Sequence, residues 1–252
     1  MTDQLQHARL LVPFGTKDWS PDRVVISKDA KGEPVFKTPV SHVVLEIKKR
    51  QALRLNSDWY HLYERPAANT LLTASDRFQF VVGHMPMYCD VWDKFQQLFL
   101  SKYFTFIEQH IEENRPTLEQ KLAGIKSLYS YQDWLLSAYL PVPQAIVYVP
   151  KDSSTETYAD QDMLRVPLLF WTGEEALVLF FTGNDTPSPR RMSAQKKLHD
   201  KGYRILEVPQ QDLIAEDQTG IETLLRTNFS TFWDAEILPS GTFRPEINDP
   251  KT

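Results

Sequence analysis

The sequence predicts an α/β protein, and three observations in one uninterrupted stretch carry that prediction. Residues 168–171 (LLFW) and 176–181 (ALVLFF) are continuously apolar runs flanking Thr172-Gly173-Glu174-Glu175, which has the composition of a hairpin turn. Ser188-Pro189 then supplies an N-cap and a first-turn proline for a basic helix reaching about Lys201, where Gly202 is a natural stop. Residues 203–208 follow as a third strand. Strands apolar at every position, instead of alternating, belong to a sheet covered on both faces.

Composition sets the outer limits. With 252 residues, 42% hydrophobic and 12% aromatic, the chain can form one large domain or two small ones with a substantial core. A net charge of −5 excludes a protein that is an electrostatic nucleic-acid binder over its whole surface, so any such contact must come from a local basic face. The one cysteine, Cys89, excludes an internal disulfide framework and a multi-cysteine zinc site, as expected in a reducing compartment. The opening MTDQLQHARLLVPFG places acid and amide residues before a very short apolar run, unlike a secretory signal. No segment approaches the ~18 consecutive apolar residues of a membrane span. A cytoplasmic protein without a membrane partner is the expectation.

Along the chain, residues 1–40 are interrupted by Pro13, Pro21, Pro34 and Pro39 and predict an irregular or edge-strand lead-in, with a hairpin tip at Asp29-Ala30-Lys31-Gly32. Residues 41–47 and 77–82 are β-branched and apolar enough for strands. From Val91 to Ile111, apolar residues at helical spacing predict an amphipathic helix whose wide aromatic stripe belongs to the core, with Tyr103 and Phe104 offering an extension into a partner surface as the alternative. Asn114-Arg115-Pro116 stops it, and Thr117 with Gln120 forms a capping-box signature for a second helix, broken near Ser130. Residues 145–149 then predict a buried strand, 151–162 a polar loop, and 221–232 a last helix, with an extended tail after Leu238. The expected organisation is an N-terminal α+β region over 1–115, a core over 116–238 and a tail over 239–252.

The helix, strand, strand, strand, helix, strand order from about residue 117, ending in Lys196-Lys197-Leu198-His199-Asp200-Lys201-Gly202-Tyr203-Arg204-Ile205-Leu206, resembles the restriction-endonuclease-like superfamily. Its end is similar to very-short-patch-repair nucleases and RAP domains, where a helix ending in Gly precedes a hydrophobic strand with a basic residue near its start. The resemblance implies an αβββαβ core with a mixed sheet, preceded by a helical N-terminal and middle region. In active members it also implies an acidic residue at the start of the second strand, another within the third, and a lysine two residues later. Those groups hold Mg²⁺ and activate water for phosphodiester cleavage. Here Pro167 stands at the first position, and the third strand offers Phe180 and Thr182 in place of carboxylate and lysine. Neither side chain replaces a hard anionic ligand, so no catalytic residue, metal ligand or cofactor is expected.

One escape is migration of the ligands. Asp162, Glu174, Glu175 and Asp185 flank the strands, and Lys196 or Lys197 could reach them from the following helix, which would restore an active nuclease using Asp162, Glu174, Asp185 and Lys197 with Mg²⁺. The same carboxylates serve equally as turn and loop solvation. Arg190 and Arg191 oppose the helix macrodipole at its positive end, a local cost that phosphate would reverse. Together with Lys196, Lys197 and Arg204 they form a candidate nucleic-acid face, or a solvated helix surface. His199 suits a C-terminal charge more than a general base. Residues 58–65 (DWYHLYER) offer either a base-stacking platform or an aromatic core margin. His84, Cys89 and Asp90 have no recognised metal spacing, and a lone cysteine among apolar neighbours is a buried one. Phosphate-loop, serine-hydrolase, zinc-protease and dinucleotide signatures are missing from the sequence. The expectation is a non-catalytic nuclease-like subunit that binds DNA or RNA or scaffolds a nucleoprotein complex with protein partners, in a defence or mobile-element system. Two alternatives stand beside it: the migrated-ligand nuclease and a purely structural interaction subunit.

Overall fold

Four antiparallel pairings and one parallel pairing join six strands into a mixed sheet, which places the protein in the α/β class. The computed structural model describes residues 9–13, 25–28, 30, 34–37, 42–46, 52–55, 73–90, 93–149, 162–183 and 187–230. In chain order these hold β1 (Arg9–Pro13), β2 (Val25–Lys28), β3 (Pro34–Lys37), β4 (His42–Glu46), α1 (Ala74–His84), α2 (Lys94–Glu113) and α3 (Arg115–Lys121). There follow β5 (Val142–Val149), β6 (Asp162–Trp171), β7 (Ala176–Thr182), α4 (Pro189–Asp200), β8 (Arg204–Pro209), α5 (Gln210–Ile214) and α6 (Thr219–Phe229). Short 3₁₀ segments occupy Met85–Tyr88 and Tyr131–Ser137. The sheet order is β4-β1-β5-β6-β7-β8, with β2 and β3 paired separately. Among the described residues, no helix is long and apolar enough to cross a membrane. The aromatic stretch 58–66, the loop 151–161, Asp185 and the tail after Leu238 lie outside the described residues.

Pairing of Lys28 with Pro34 sets the β2–β3 hairpin where the sequence predicts its tip. β1, however, is no edge strand: Leu10 and Leu11 pair with Val147 and Ile146 of β5 on one side, and β4 covers its other side. Strands from the segments 1–115 and 116–238 thus share one sheet.

The run 77–82 is a helix instead of a strand. Phe78, Phe80 and Val82 alternate, but the buried set is Ala74, Phe78 and Val81, a helical spacing, and a reciprocal capping box between Thr73 and Asp76 starts α1. The Thr73 hydroxyl accepts from the Asp76 N–H (3.1 Å), and the Asp76 carboxylate accepts from both the backbone N–H and the hydroxyl of Thr73. These bonds hold the Asp76 carboxyl below its ordinary pKa. After α2 the helix resumes at Arg115 from Asn114, so Thr117 lies inside α3 and is not its cap. The capping box in that region is Ser130 with Asp133, at the predicted break, and it starts a 3₁₀ segment that buries Trp134, Leu135 and Leu136.

Opposite faces of β7 are covered by different elements. Its antiparallel partner puts Phe170 of β6 beside Leu177, and on that face α2 packs through Phe99 and Tyr103. Phe99 meets Phe170 at 6.4 Å and Phe181 at 6.0 Å between ring centroids, while Tyr103 meets Phe170 at 5.2 Å. Phe229 of α6 closes the cluster, 4.7 Å from Phe170 and 5.3 Å from Tyr103. Tyr103 and Phe104 belong to the core, as the stripe predicts, and not to the alternative partner surface; the Tyr103 hydroxyl donates to the Tyr139 carbonyl at 2.7 Å. Burial holds the Tyr103 hydroxyl protonated well above the ordinary pH range.

On the second face lies α4, the helix of the parallel β7–α4–β8 crossover. It is a polar helix with a single buried residue, Leu198. Its end follows the sequence: Gly202 adopts φ 87°, its N–H donates to the His199 carbonyl, and the Tyr203 N–H donates to the Leu198 carbonyl. This is a Schellman closure, which needs a residue tolerant of the left-handed region.

Replacing Phe170 with Ala should cost about 3–5 kcal/mol in urea unfolding, since its ring is fully enclosed by three others. Replacing the exposed Leu128 with Ala should stay within about 0.5 kcal/mol.

Candidate functional site

Pairing of Leu168 with Leu179 fixes the register of β6 and β7, and one further step sets Pro167 beside Phe180. The two positions at which the resemblance places acids are therefore cross-strand neighbours. Both line a cleft of about 870 Å³ at the end of β7 where α4 begins. Arg165 of β6 enters from the strand side, and Arg190, Arg191 and Lys197 from α4. Asp93 and Phe95, at the start of α2, close the remaining wall. On a helix of 3.6 residues per turn, Arg190, Ala194 and Lys197 share one stripe, which explains why the cleft receives these and not Lys196.

The start of α4 is strongly positive. Ser188 caps it by accepting from the Arg191 N–H (3.3 Å), and its first turn has no acidic residue. Arg191 is anchored by its Nη1, which donates to the Phe181 carbonyl at 2.9 Å, and its guanidinium lies 5.2 Å from the Phe180 ring centroid. That cation–π contact explains why a phenyl ring is accommodated at this position. The remaining nitrogens, Nε and Nη2, are buried without a hydrogen-bond partner. An unmet buried donor costs about 1–3 kcal/mol, and more when charged.

Among the described residues, Asp93 is the acidic member of the lining, and α2 uses it. Its Oδ1 accepts from the backbone N–H groups of Phe95 (3.0 Å) and Gln96 (3.4 Å), and its Oδ2 accepts from Gln96 Nε2 (2.8 Å). Gln96 in turn accepts from Gln144 Nε2 at 2.6 Å, so a chain of buried amides ties the cleft wall to β5. Gln144 adopts φ 52°, a left-handed conformation costly for a non-glycine residue. It falls opposite Pro167: β5 and β6 pair Pro143 with Leu168 and Ala145 with Val166 but skip that rung.

The predicted residues are divided between the two ends of the sheet. Arg190, Arg191 and Lys197 converge in the cleft. Lys196 is exposed on another face of α4. Arg204 begins β8 at the opposite end, where it donates to Glu175 (3.2 Å) and Asn228 (2.8 Å). Glu174 and Glu175 sit in the β6–β7 hairpin at that same far end. Asp162 opens β6 at the cleft end, nine residue steps and about 30 Å from the hairpin. Its side chain and Asp185 lie outside the described residues. The strands thus keep Asp162 and Glu174 from sharing one ion. Among the described residues, no group of three or more His, Cys, Asp or Glu gathers in metal-binding geometry.

Elsewhere, His199 is exposed in the last turn of α4, where its charge suits the helix end. His84 stacks on Phe80 at 3.9 Å and bonds the Phe80 carbonyl (2.8 Å). Cys89 is buried, and desolvation with the nearby Asp93 and Asp90 pushes its thiol from 9.0 up to about 12. Sequence reasoning missed two lining residues, Arg165 and Asp93. The first had a signal, being a lone charge inside the apolar run MLRVPLLFW; the second is the acid preceding the first full turn of α2.

Comparison of the chain with protein-family models, with curated proteins and with solved structures gives no significant match.

Changing Gln96 to Leu should destabilise the fold by about 2 kcal/mol in urea titration, because it strands Gln144 and one Asp93 oxygen. Cys89 should alkylate at pH 8 about a thousandfold more slowly in the native protein than in urea, since its raised pKa leaves almost no thiolate. The linkage has a definite sign: the buried neutral thiol stabilises fully below pH 9, and its contribution is lost as pH rises towards about 12.

Proposed function

We propose that this chain is a non-catalytic, nuclease-like subunit that binds nucleic acid through the cleft at the start of α4. One observation carries the proposal. Where a metal-dependent nuclease gathers carboxylates, the described lining has Pro167 and Phe180 in the sheet with Arg165, Arg190, Arg191 and Lys197 around them, and Asp93 is the one acid among those described residues. The sign of the site is inverted, from one that attracts cations to one that attracts phosphates.

The finer fold assignment supports this proposal. The antiparallel β5–β6–β7 meander followed by a parallel β7–α4–β8 crossover has the αβββαβ order and mixed pairing expected of the restriction-endonuclease-like superfamily. A protein that holds strands without cutting them acts as one part of a larger assembly, so protein partners in a defence or mobile-element complex are the proposed setting.

The test combines cleavage and binding. Incubation with DNA or RNA and Mg²⁺ or Mn²⁺ should yield no cleavage; cleavage abolished by Asp162→Asn would overturn the non-catalytic assignment. Binding measured across salt concentrations should weaken in Arg190→Ala/Lys197→Ala, with the log–log salt slope falling by about 1 for each phosphate that is no longer neutralised. Arg204→Ala, at the other end of the sheet, should leave affinity unchanged.

A further inference from the structure

We infer that β4 is a docking edge for a second copy of this chain, the two β4 strands pairing antiparallel about Val44 so that the sheets of both copies run on as one.

The two edges of the sheet are built differently. β4 ends the strand order on one side, and among the described residues no strand pairs with its outer side. At the other end β8 carries the devices that keep edges apart: exposed Arg204 and Glu207, and Pro209 at its close. β4 reads His-Val-Val-Leu-Glu, with no proline or lysine, an imidazole at one end and a carboxylate at the other. Such a strand is a ready template for another one.

The ladder with β1 fixes which backbone groups of β4 point outward. Pro13 pairs with His42 and has no N–H, so that rung exchanges no bonds, and the bonded rungs are Val12 with Val43 and Leu10 with Leu45. Along an antiparallel strand successive residues bond to alternate sides. The N–H and C=O groups of His42, Val44 and Glu46 therefore point away from β1, towards the open edge.

Those three residues complement themselves. A twofold axis through Val44, normal to the sheet, sets Val44 opposite its own copy and His42 opposite Glu46 of the second copy, and every one of these rungs is of the bonded kind, giving about six hydrogen bonds. Opposed residues of an antiparallel pair share a face, as positions 42, 44 and 46 do. Moving the axis to Val43 or Leu45 shortens the overlap and sets His42 or Glu46 opposite Val44 instead. Complementary ends thus select both the occupant and its register. The same axis preserves the faces of the sheet, so both clefts at the start of α4 lie on one side of the joined sheet.

The experiment is sedimentation velocity of the full chain from about 1 to about 300 μM, a span suited to the weak affinity of a short interface. A monomer–dimer equilibrium is expected. Val44→Pro removes an outward N–H and no bond to β1, and should weaken the dimer at least about tenfold. His42→Glu sets like charges opposite each other at both ends of the pairing, and should weaken it about tenfold as well. An equimolar mixture of His42→Glu and Glu46→Lys chains should recover the native affinity, because Glu at 42 then meets Lys at 46 while Glu46 meets His42. Glu207→Lys on β8 should leave the equilibrium unchanged. Melting temperature verifies that each variant is folded, and the charge variants decide the matter where Val44→Pro is not. A chain that stays monomeric throughout, a dimer that the β4 variants leave intact, or a mixture no tighter than its components overturns the inference. A dimer weakened by Glu207→Lys instead places the contact at β8 and overturns it too.

Discussion

β7 is apolar at every position from Ala176 to Phe181, so it must be covered from both sides, and the two covers available to it are unlike. α2 meets one face with a row of rings that interlock with Phe170, Phe181 and Phe229. α4 meets the other with one buried leucine among charged and small residues. A cover this polar seals the sheet at Leu198 but not at its own first turn. The cleft follows from that shortfall: it opens where α4 begins, and its contents are whatever the first turn of α4 and the start of β6 carry.

What lies there is a group of cations beside Pro167 and Phe180. A carboxylate pair in this place would require a divalent ion to offset its repulsion, whereas guanidinium groups require an anion. Phe180 offers the Arg191 guanidinium an electron-rich face in place of water. Ring and guanidinium thus form one coupled arrangement, joined where Arg191 lies over Phe180 and bonds the Phe181 carbonyl.

The C-terminal half was legible in the sequence because its signals are local. Ser188-Pro189 and Gly202 act through their own backbone geometry, and both ends of α4 fall where those residues place them. The turn 172–175 was equally plain, with Gly173 at φ 99°. α1 was not, because Phe78, Phe80 and Val82 satisfy a strand period as well as Phe78 and Val81 satisfy a helical one. The deciding Thr73–Asp76 box lies just upstream of the apolar run. β1 could not be placed as an interior strand, since its neighbours are far away in sequence. The site was half legible: the α4 cations stood out as a cluster, but Arg204 belongs to the far end of the sheet, and the contribution of Asp93 depends on α2 approaching from the other face.

Pro167 stands in a strand with neighbours on both sides, a place where proline is seldom tolerated, and it faces a left-handed Gln144 across a missing rung. The β5–β6 ladder is therefore interrupted by one rung beside the cleft. The amides linked from Asp93 through Gln96 to Gln144 brace that interruption from α2, so the helix start holds the backbone where the ladder does not.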